Sequence, residues 1–267
     1  MPSTRIARSK GEAMFAEERR NRLLQMLNEK RSLSVPEAAI QFDVTEETIR
    51  RDLKLLESSG FLQRTHGGAI PADDAKAEPS LEVRQGINMG GKDRIGRKAA
   101  DLVNDGDTII LDASTSALSL ARHLKQKKNL TVITNAEKIV LELSACDDIT
   151  LICTGGILRH ESLSYVGRAA ENTLAGLQAG KAFLSCRGFN PLRGFTDSSE
   201  PESEIRRQMI RRSQQTVYLC DHTKYDRVGF VTTAVIGDVD TLIVDAPLPD
   251  GWKPEFDKAG VRILLSE

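Results

Sequence analysis

Thr45-Glu46-Glu47-Thr48-Ile49-Arg50-Arg51-Asp52-Leu53-Lys54-Leu55-Leu56 is the stretch on which the reading of this chain turns. Wound as a helix at about 100° per residue, it gathers Ile49, Leu53 and Leu56 on one side. Glu47, Arg51, Lys54 and Ser58 fall opposite, with Arg50 on a flank. Thr45 is placed to cap the first turn through its hydroxyl. Just upstream, Ser34-Val35-Pro36-Glu37 reads as a capping box that opens a shorter helix through Ala38, Ala39 and Ile40 to Phe42. Asp43-Val44 makes the tight turn between the two helices. A further helix is expected over 17–29, with Leu23, Leu24 and Leu27 on one face, followed by a short extended piece at Ser32-Leu33. Downstream, Gly60 is the expected helix stop. Residues 61–64 and 69–70 then flank Thr65-His66-Gly67-Gly68 as a small hairpin, a wing.

An apolar inner face and a basic outer face suit a helix lying in the major groove of DNA, where arginine can meet guanine acceptors and phosphates. Thr45, Glu47, Thr48, Arg50, Arg51 and Lys54 on the helix, with Arg64 and His66 on the wing, are the candidate contacts to double-stranded operator DNA. A solvated helix touching nothing is the competing reading. The coincidence of two capped helices, an Arg-Arg step and a wing argues against it. Charge decides little: residues 1–70 hold 12 Lys+Arg against 10 Asp+Glu, and the 267-residue chain has a formal net charge of −1.

The rest of the chain has a different texture. Residues 1–15 are polar and weakly patterned, and disorder is expected there. Residues 16–71 form the winged helix-turn-helix unit. Residues 72–91, with Pro79, Gly86, Gly90 and Gly91 among charges, read as a linker of little structure. Gly86-x-x-x-x-Gly91-Lys92 resembles a phosphate-binding loop, but Asp93 stands where Ser or Thr would hold magnesium and no apolar strand precedes it. From Lys92 to residue 267, short apolar strands alternate with helices. Strands are expected at 108–112, 130–134, 150–153, 182–185, 216–220, 241–244 and 261–265, and helices near 92–103, 117–127, 136–144, 169–175, 201–213 and 254–259. That alternation predicts an α/β domain with an open, mostly parallel sheet, whose ligands bind at the carboxyl ends of strands.

Those strand ends share a chemistry. Asp112-Ala113-Ser114-Thr115-Ser116 places hydroxyls at a helix N-terminus, which suits a phosphate. Asn135, the Gly155-Gly156 pair and Lys224 follow later strands. The glycines permit close backbone approach, and the lysine supplies charge. Asp112, Ser114, Thr115, Ser116, Asn135, Gly155, Gly156 and Lys224 are therefore the candidate ligand-binding residues of an anion site.

The stretch from Arg22 to Gly68 resembles the DeoR family of sugar-metabolism repressors. The match lies in Thr45-x-x-Thr48-Ile49-Arg50-Arg51-Asp52-Leu53, Leu56, Gly60 and His66-Gly67-Gly68. The resemblance continues through Lys92-x-x-Ile95, Asp105-Gly106-Asp107-Thr108, Val132-x-Thr134-Asn135, Gly155-Gly156, Gly167, Glu204-Ile205-Arg206-Arg207-x-Met209-Ile210 and Asp221-x-x-Lys224. It implies an effector domain similar in fold to ribose-5-phosphate isomerase, a phosphorylated sugar effector, a repressor of a carbohydrate-metabolism operon, and a homodimer or homotetramer. Ser114, Asn190 and Asp226 depart from the family pattern, which leaves the shape of the phosphate loop and the sugar specificity open. A sugar-phosphate isomerase with an accessory DNA-binding domain is the alternative. Asp112, Glu204, Asp221 and Lys224 supply acid, base and cation, but no spacing brings two of them to one carbon.

No run of about 18 apolar residues and no signal sequence is present, so a cytoplasmic protein without a membrane partner is expected. Cys146, Cys153, Cys186 and Cys220 form no C-x-x-C pair and read as buried free thiols. The four histidines show no metal-ligand spacing, and no cofactor is expected.

Overall fold

Leu23, Leu24 and Leu27, three and four residues apart, turn one face of the first helix inward, and the N-terminal unit assembles on that face. The computed structural model describes residues 16–30, 32–58, 61–71 and 81–267. It divides into two compact units, Met1–Asp73 and Asp74–Glu267. The expected disorder of 1–15 and the expected stop at Gly60 lie outside the described residues.

The first unit runs α1 (Ala16–Lys30), β1 (Leu33–Ser34), α2 (Val35–Phe42), α3 (Glu46–Ser58), β2 (Leu62–Thr65) and β3 (Gly68–Pro71). Its core joins the α1 leucines to Val35, Ala38, Phe42, Ile49, Leu53, Leu56 and Leu62. The wing is a β2–β3 hairpin, and β1 adds a third strand by pairing Leu33 with Ala69. A β-carbon at Gly68 would run into the Leu33 carbonyl, so this close approach requires glycine. The capping box at Ser34 does not form, since the Ser34 side chain makes no cap bond. Because β1 delivers the chain against the wing, the Val35 amide donates to the Gly67 carbonyl instead (2.9 Å).

The second unit begins earlier than the expected linker allows. Leu81–Gly86 (α4) and Met89–Ala100 (α5) are helical. Buried Leu81 and Ile87 seat this segment, and the Leu81 amide donates to the Glu161 carbonyl (2.8 Å). The linker of 72–91 is thus overturned for 81–91, while 72–80 lies outside the described residues. There follow β4 (Thr108–Leu111), α6 (Thr115–His123), β5 (Leu130–Thr134), α7 (Glu137–Leu143), β6 (Ile149–Cys153), β7 (Ile157–Arg159), β8 (Ser164–Val166), α8 (Arg168–Ala175), β9 (Ala179–Leu184), β10 (Gly188–Asn190), β11 (Gly194–Asp197), α9 (Glu200–Arg211), β12 (Ser213–Cys220), β13 (Val231–Ala234), β14 (Thr241–Val244), α10 (Lys253–Lys258) and β15 (Arg262–Leu265).

Seven strands make one sheet in the order β15-β14-β12-β9-β4-β5-β6, every neighbouring pair parallel. The two faces carry separate apolar clusters, one around Ile109, Leu111 and Leu120, the other around Ile110, Phe189 and Tyr218. This is the two-sided burial of a parallel sheet. Two small antiparallel sheets, β7-β8 and β10-β11-β13, were not expected. They leave the chain just after the carboxyl ends of β6, β9 and β12, so the insertions elaborate one edge of the main sheet. Cys186 and Cys220 are buried free thiols, whereas Cys153 is exposed because it ends the edge strand β6. Among the described residues, no helix is long and apolar enough to cross a membrane.

Candidate functional site

The first unit buries Ile49, Asp52, Leu53 and Leu56 of α3 and exposes Glu47, Arg50, Arg51 and Lys54. Thr45 caps the helix, its Oγ1 accepting from the Thr48 amide (3.2 Å). Arg50 donates to Glu46 (2.6 Å), and Arg51 lies 3.9 Å from Glu47 with its side chain 81% exposed. These i,i+4 pairs are surface pairs of small worth, so both guanidinia can be redirected to a ligand at little cost. On the wing, His66 is exposed at the turn. Arg64 is partly committed: its amide and Nε both bond the Glu57 carboxylate (2.8 and 2.7 Å), tying β2 to α3. The same bonds hold Glu57 below the ordinary carboxylate range. Asp52 was missed as a functional residue. It is 3% exposed and takes Arg19 Nε at 2.6 Å and Arg20 at 3.5 Å, fixing α3 against α1.

In the second unit, the chain builds β4, β5 and β6 outward on one flank, then returns to lay β9, β12, β14 and β15 on the other. The reversal falls between β4 and β9, where open parallel sheets form a crevice at their carboxyl ends. The expected residues all lie on that edge: Asp112 and 114–116 after β4, Asn135 after β5, Gly155 and Gly156 after β6, and Lys224 after β12. Lys224 reaches toward the crevice, its Nζ donating to the Cys186 carbonyl at the end of β9 (2.6 Å). Gly155-Gly156 is two strands away from β4, or roughly 10 Å. Both glycines have positive φ, and a β-carbon at Gly156 would strike Val166 and Ala170.

The individual roles differ. Asp112 is 1% exposed and its oxygens are already taken: Oδ1 by the Ser114 amide (3.0 Å), Oδ2 by the Ser185 amide (3.0 Å) and Arg206 Nε (2.8 Å). It shapes the crevice loops from behind, and the ligand contact expected of its carboxylate is corrected to that positioning role. Ser114 spends its Oγ capping α6 through the Ala117 amide (3.0 Å). Thr115 borders a cleft of about 510 Å³ together with Gln85, Met89, Lys92 and Arg122. Ser116 Oγ, Asn135 Oδ1 and Asp221 Oδ2 are buried without a hydrogen-bond partner among the described residues. Such atoms are costly to leave unpaired, and they mark where a polar ligand would be welcomed.

Three cations near this edge were not singled out from sequence for this site. Lys92 is 6% exposed, its Nζ held by the carbonyls of Ile87 (2.5 Å) and Arg84. Burial opposes the ionisation of Asp221, but Lys224 and Lys92 outweigh it and keep that carboxyl below the ordinary range. Arg187 and Arg227 also lie on the segments that follow β9 and β12. The sequence signal for Arg187 was only the run Cys186-Arg187-Gly188-Phe189-Asn190 after a strand, and Arg227 had none.

His222, beside Lys224, has Nδ1 2.9 Å from Asp245 Oδ2, and its amide donates to Asp245 Oδ1 (2.7 Å). The Asp245 bond raises the imidazole pKa above its ordinary 6.5 against the opposing effect of burial. A folded-state pKa above the unfolded one gives a contribution present below 6.5 and lost as pH rises through the raised value. An NMR pH titration is expected to place His222 above 6.5, and Asp245→Asn to bring it down. An unchanged midpoint in that variant would remove Asp245 as the cause.

Comparison with known proteins bears on both units. The family model of the DeoR-like helix-turn-helix domain matches residues 19–74, and that of the DeoR C terminal sensor domain matches residues 87–246. The HTH-type transcriptional regulator YulB of Bacillus subtilis is 41% identical over 251 residues, covering 94% of each chain. The HTH-type transcriptional regulator GolR of Listeria innocua is 34% identical over 254 residues, covering 95% of this chain and 100% of its own. Among solved structures, ribose 5-phosphate isomerase A from Methanocaldococcus jannaschii aligns with 52% of this chain and 55% of its own, at 15% identity and a TM-score of 0.39.

Proposed function

The chain belongs to the DeoR family of DNA-binding transcriptional regulators, and from that premise we propose that it represses a carbohydrate-metabolism operon until a phosphorylated sugar binds at the carboxyl edge of its parallel sheet. It is a regulator rather than an enzyme, as its relatives over nearly the full length are named regulators. One relative, GlcR of Bacillus subtilis, 32% identical over 254 residues, is named a transcriptional repressor.

The observation that carries the effector reading is the set of orphaned buried atoms, Ser116 Oγ and Asn135 Oδ1, on adjacent strand ends of the crevice. They lie beside the α6 N-terminus, whose amides and dipole favour an anion. Lys224 supplies the countercharge. Operator contact is assigned to Thr45, Glu47, Thr48, Arg50, Arg51 and Lys54, with the wing residues Arg64 and His66 on the backbone. As a homodimer or homotetramer, the protein would present α3 to half-sites about 34–36 Å apart. The sugar lowers operator affinity only by as much as it prefers the arrangement that binds DNA poorly, typically about 1–3 kcal/mol of coupling.

The test uses a DNA fragment enriched on the wild-type protein from a random library. Arg51→Ala is expected to weaken binding to it by about 1–3 kcal/mol, and wild-type affinity should fall as salt rises. The Thr115→Ala, Lys224→Ala double variant should bind this DNA normally but ignore sugar phosphates that release the wild type. Unchanged affinity in both Arg50→Ala and Arg51→Ala refutes the DNA face. A double variant that answers sugar phosphate like wild type refutes the ligand site.

A further inference from the structure

The exposed face of α3 is nearly balanced in charge. Its exposed ionic side chains are Glu46, Glu47, Arg50, Arg51 and Lys54, two acids against three bases. DNA carries a negative charge for about every 1.7 Å of its axis, so a face that met only phosphates would be weakened by each carboxylate. This is a DNA-binding unit by family. Its acids therefore call for a partner in the groove other than a phosphate.

The two acids are not alike. Glu46 Oε2 accepts from Arg50 at 2.6 Å, so this flanking pair is closed. Glu47 lies on the central stripe with Arg51 one turn further on. Their nearest approach is 3.9 Å, with side chains 69% and 81% exposed. That is beyond hydrogen-bond reach, and a surface pair of this kind contributes little. Thr45 and Thr48 fix the first turn: their hydroxyls lie 2.9 Å apart, and the Thr48 amide donates to Thr45 Oγ1 (3.2 Å). Glu47 is thus presented on a capped turn, with Arg51 as a loose neighbour.

We propose that Glu47 reads a cytosine and Arg51 a guanine in the major groove of the operator. The proposal rests on the reading of α3 as the recognition helix. The major groove offers a carboxylate only two amino donors, cytosine N4 and adenine N6. Adenine sets its N7 acceptor beside N6, where it repels the second carboxylate oxygen, whereas cytosine carries no acceptor on that edge. The Arg51 guanidinium matches the paired acceptors O6 and N7 of guanine. Side chains at i and i+4 have Cβ atoms about 5–6 Å apart, against about 3.4 Å per base step, so the two bases lie one or two steps apart. Opening the loose Glu47–Arg51 contact to reach them costs little.

Selection of a random DNA library on the full chain, followed by sequencing, reads the base preference at each position. The wild type is expected to enrich a cytosine and a guanine one or two steps apart. Glu47→Gln keeps the size of the side chain and replaces the carboxylate with an amide that pairs with adenine N6 and N7. The cytosine position should then turn to adenine while the guanine stays. Glu47→Ala should relax that position alone, its cytosine advantage of about 5- to 150-fold falling to near unity. Arg51→Ala should relax the guanine position. Both side chains are exposed, so neither substitution disturbs the core. Cytosine retained in both Glu47 variants overturns the assignment of Glu47. An Arg51→Ala protein weakened equally on every sequence makes Arg51 a phosphate contact and overturns the guanine. A wild type that binds DNA but selects neither base overturns both contacts and leaves α3 as the DNA face. A wild type that binds no DNA sinks the recognition-helix reading itself.

Discussion

Arg206→Met is expected to destabilise the C-terminal unit by about 3–5 kcal/mol at neutral pH, the range for stripping one partner from a buried ionic cluster. Arg206 is 4% exposed, with Nε on Asp112 (2.8 Å) and Nη1 within ion-pair distance of Asp197 (3.1 Å), though out of line for a hydrogen bond. Burial works against its charge, but Asp197, Asp112 and Glu202 outweigh that and drive its pKa well above the ordinary value. Without the guanidinium, Asp112 and Asp197 lose their buried cation, while Glu202 keeps Arg159 at 3.0 Å. Even with it, burial pushes Asp197 up to about 6. Removing the cation raises the Asp197 pKa further above its unfolded value. The variant should therefore lose most stability at high pH and recover some as pH falls and Asp197 protonates. Urea melts at pH 5 and pH 8 measure both effects. A loss under about 1 kcal/mol at pH 8 would show that Arg206 is not what holds the cluster. Since Asp112 also positions the Ser114 and Ser185 amides, phosphate binding should fall with stability.

Asp52→Ala should be nearly as damaging to the N-terminal unit, at about 3 kcal/mol. The substitution leaves Arg19 buried with its partner gone and removes the charge that Arg20 approaches. A unit this small has roughly 3–8 kcal/mol to lose at the usual stability per residue. The expected result is faster amide exchange across 16–71 and loss of DNA binding, with the exposed face of α3 chemically untouched. Replacing Arg19 and Asp52 together with apolar residues of similar volume should recover most of the stability, because no charge is then left buried. Exchange rates in Asp52→Ala equal to wild type would contradict the assignment.

Asp52 also shows where reading a helix from its period stops. The 3.6-residue period correctly placed Ile49, Leu53 and Leu56 inside and Glu47, Arg51 and Lys54 outside. Asp52 lies between the buried neighbours, and its polarity conceals that it points inward. The interior accepts it because Arg19, 33 residues earlier, arrives with a matching charge. The same limit applied at Ser34. Its capping box was a sound local expectation, but the wing turn at Gly67 offered the first helical amide a carbonyl that no local pattern contains.

By itself, the sequence determined the alternation of strand and helix from Thr108 to Leu265, the parallel sense of the main sheet, and the basic face of α3. These follow from burying one side of each element, a requirement that neighbouring residues state on their own. The strand ends that line the crevice were legible for the same reason, since in a parallel sheet every carboxyl end falls on one edge. Only the tertiary structure decided which of those residues remain available. Asp112 is consumed by Arg206, 94 residues away, while Ser116 and Asn135 keep unpaired atoms. It also decided that Leu81–Gly86 is a helix, because burial of Leu81 makes it one. The short strands around Gly188 and Val231 exist only through pairing across distant segments. Periodicity records whether a residue is buried, and it carries no information about which partner will meet it there.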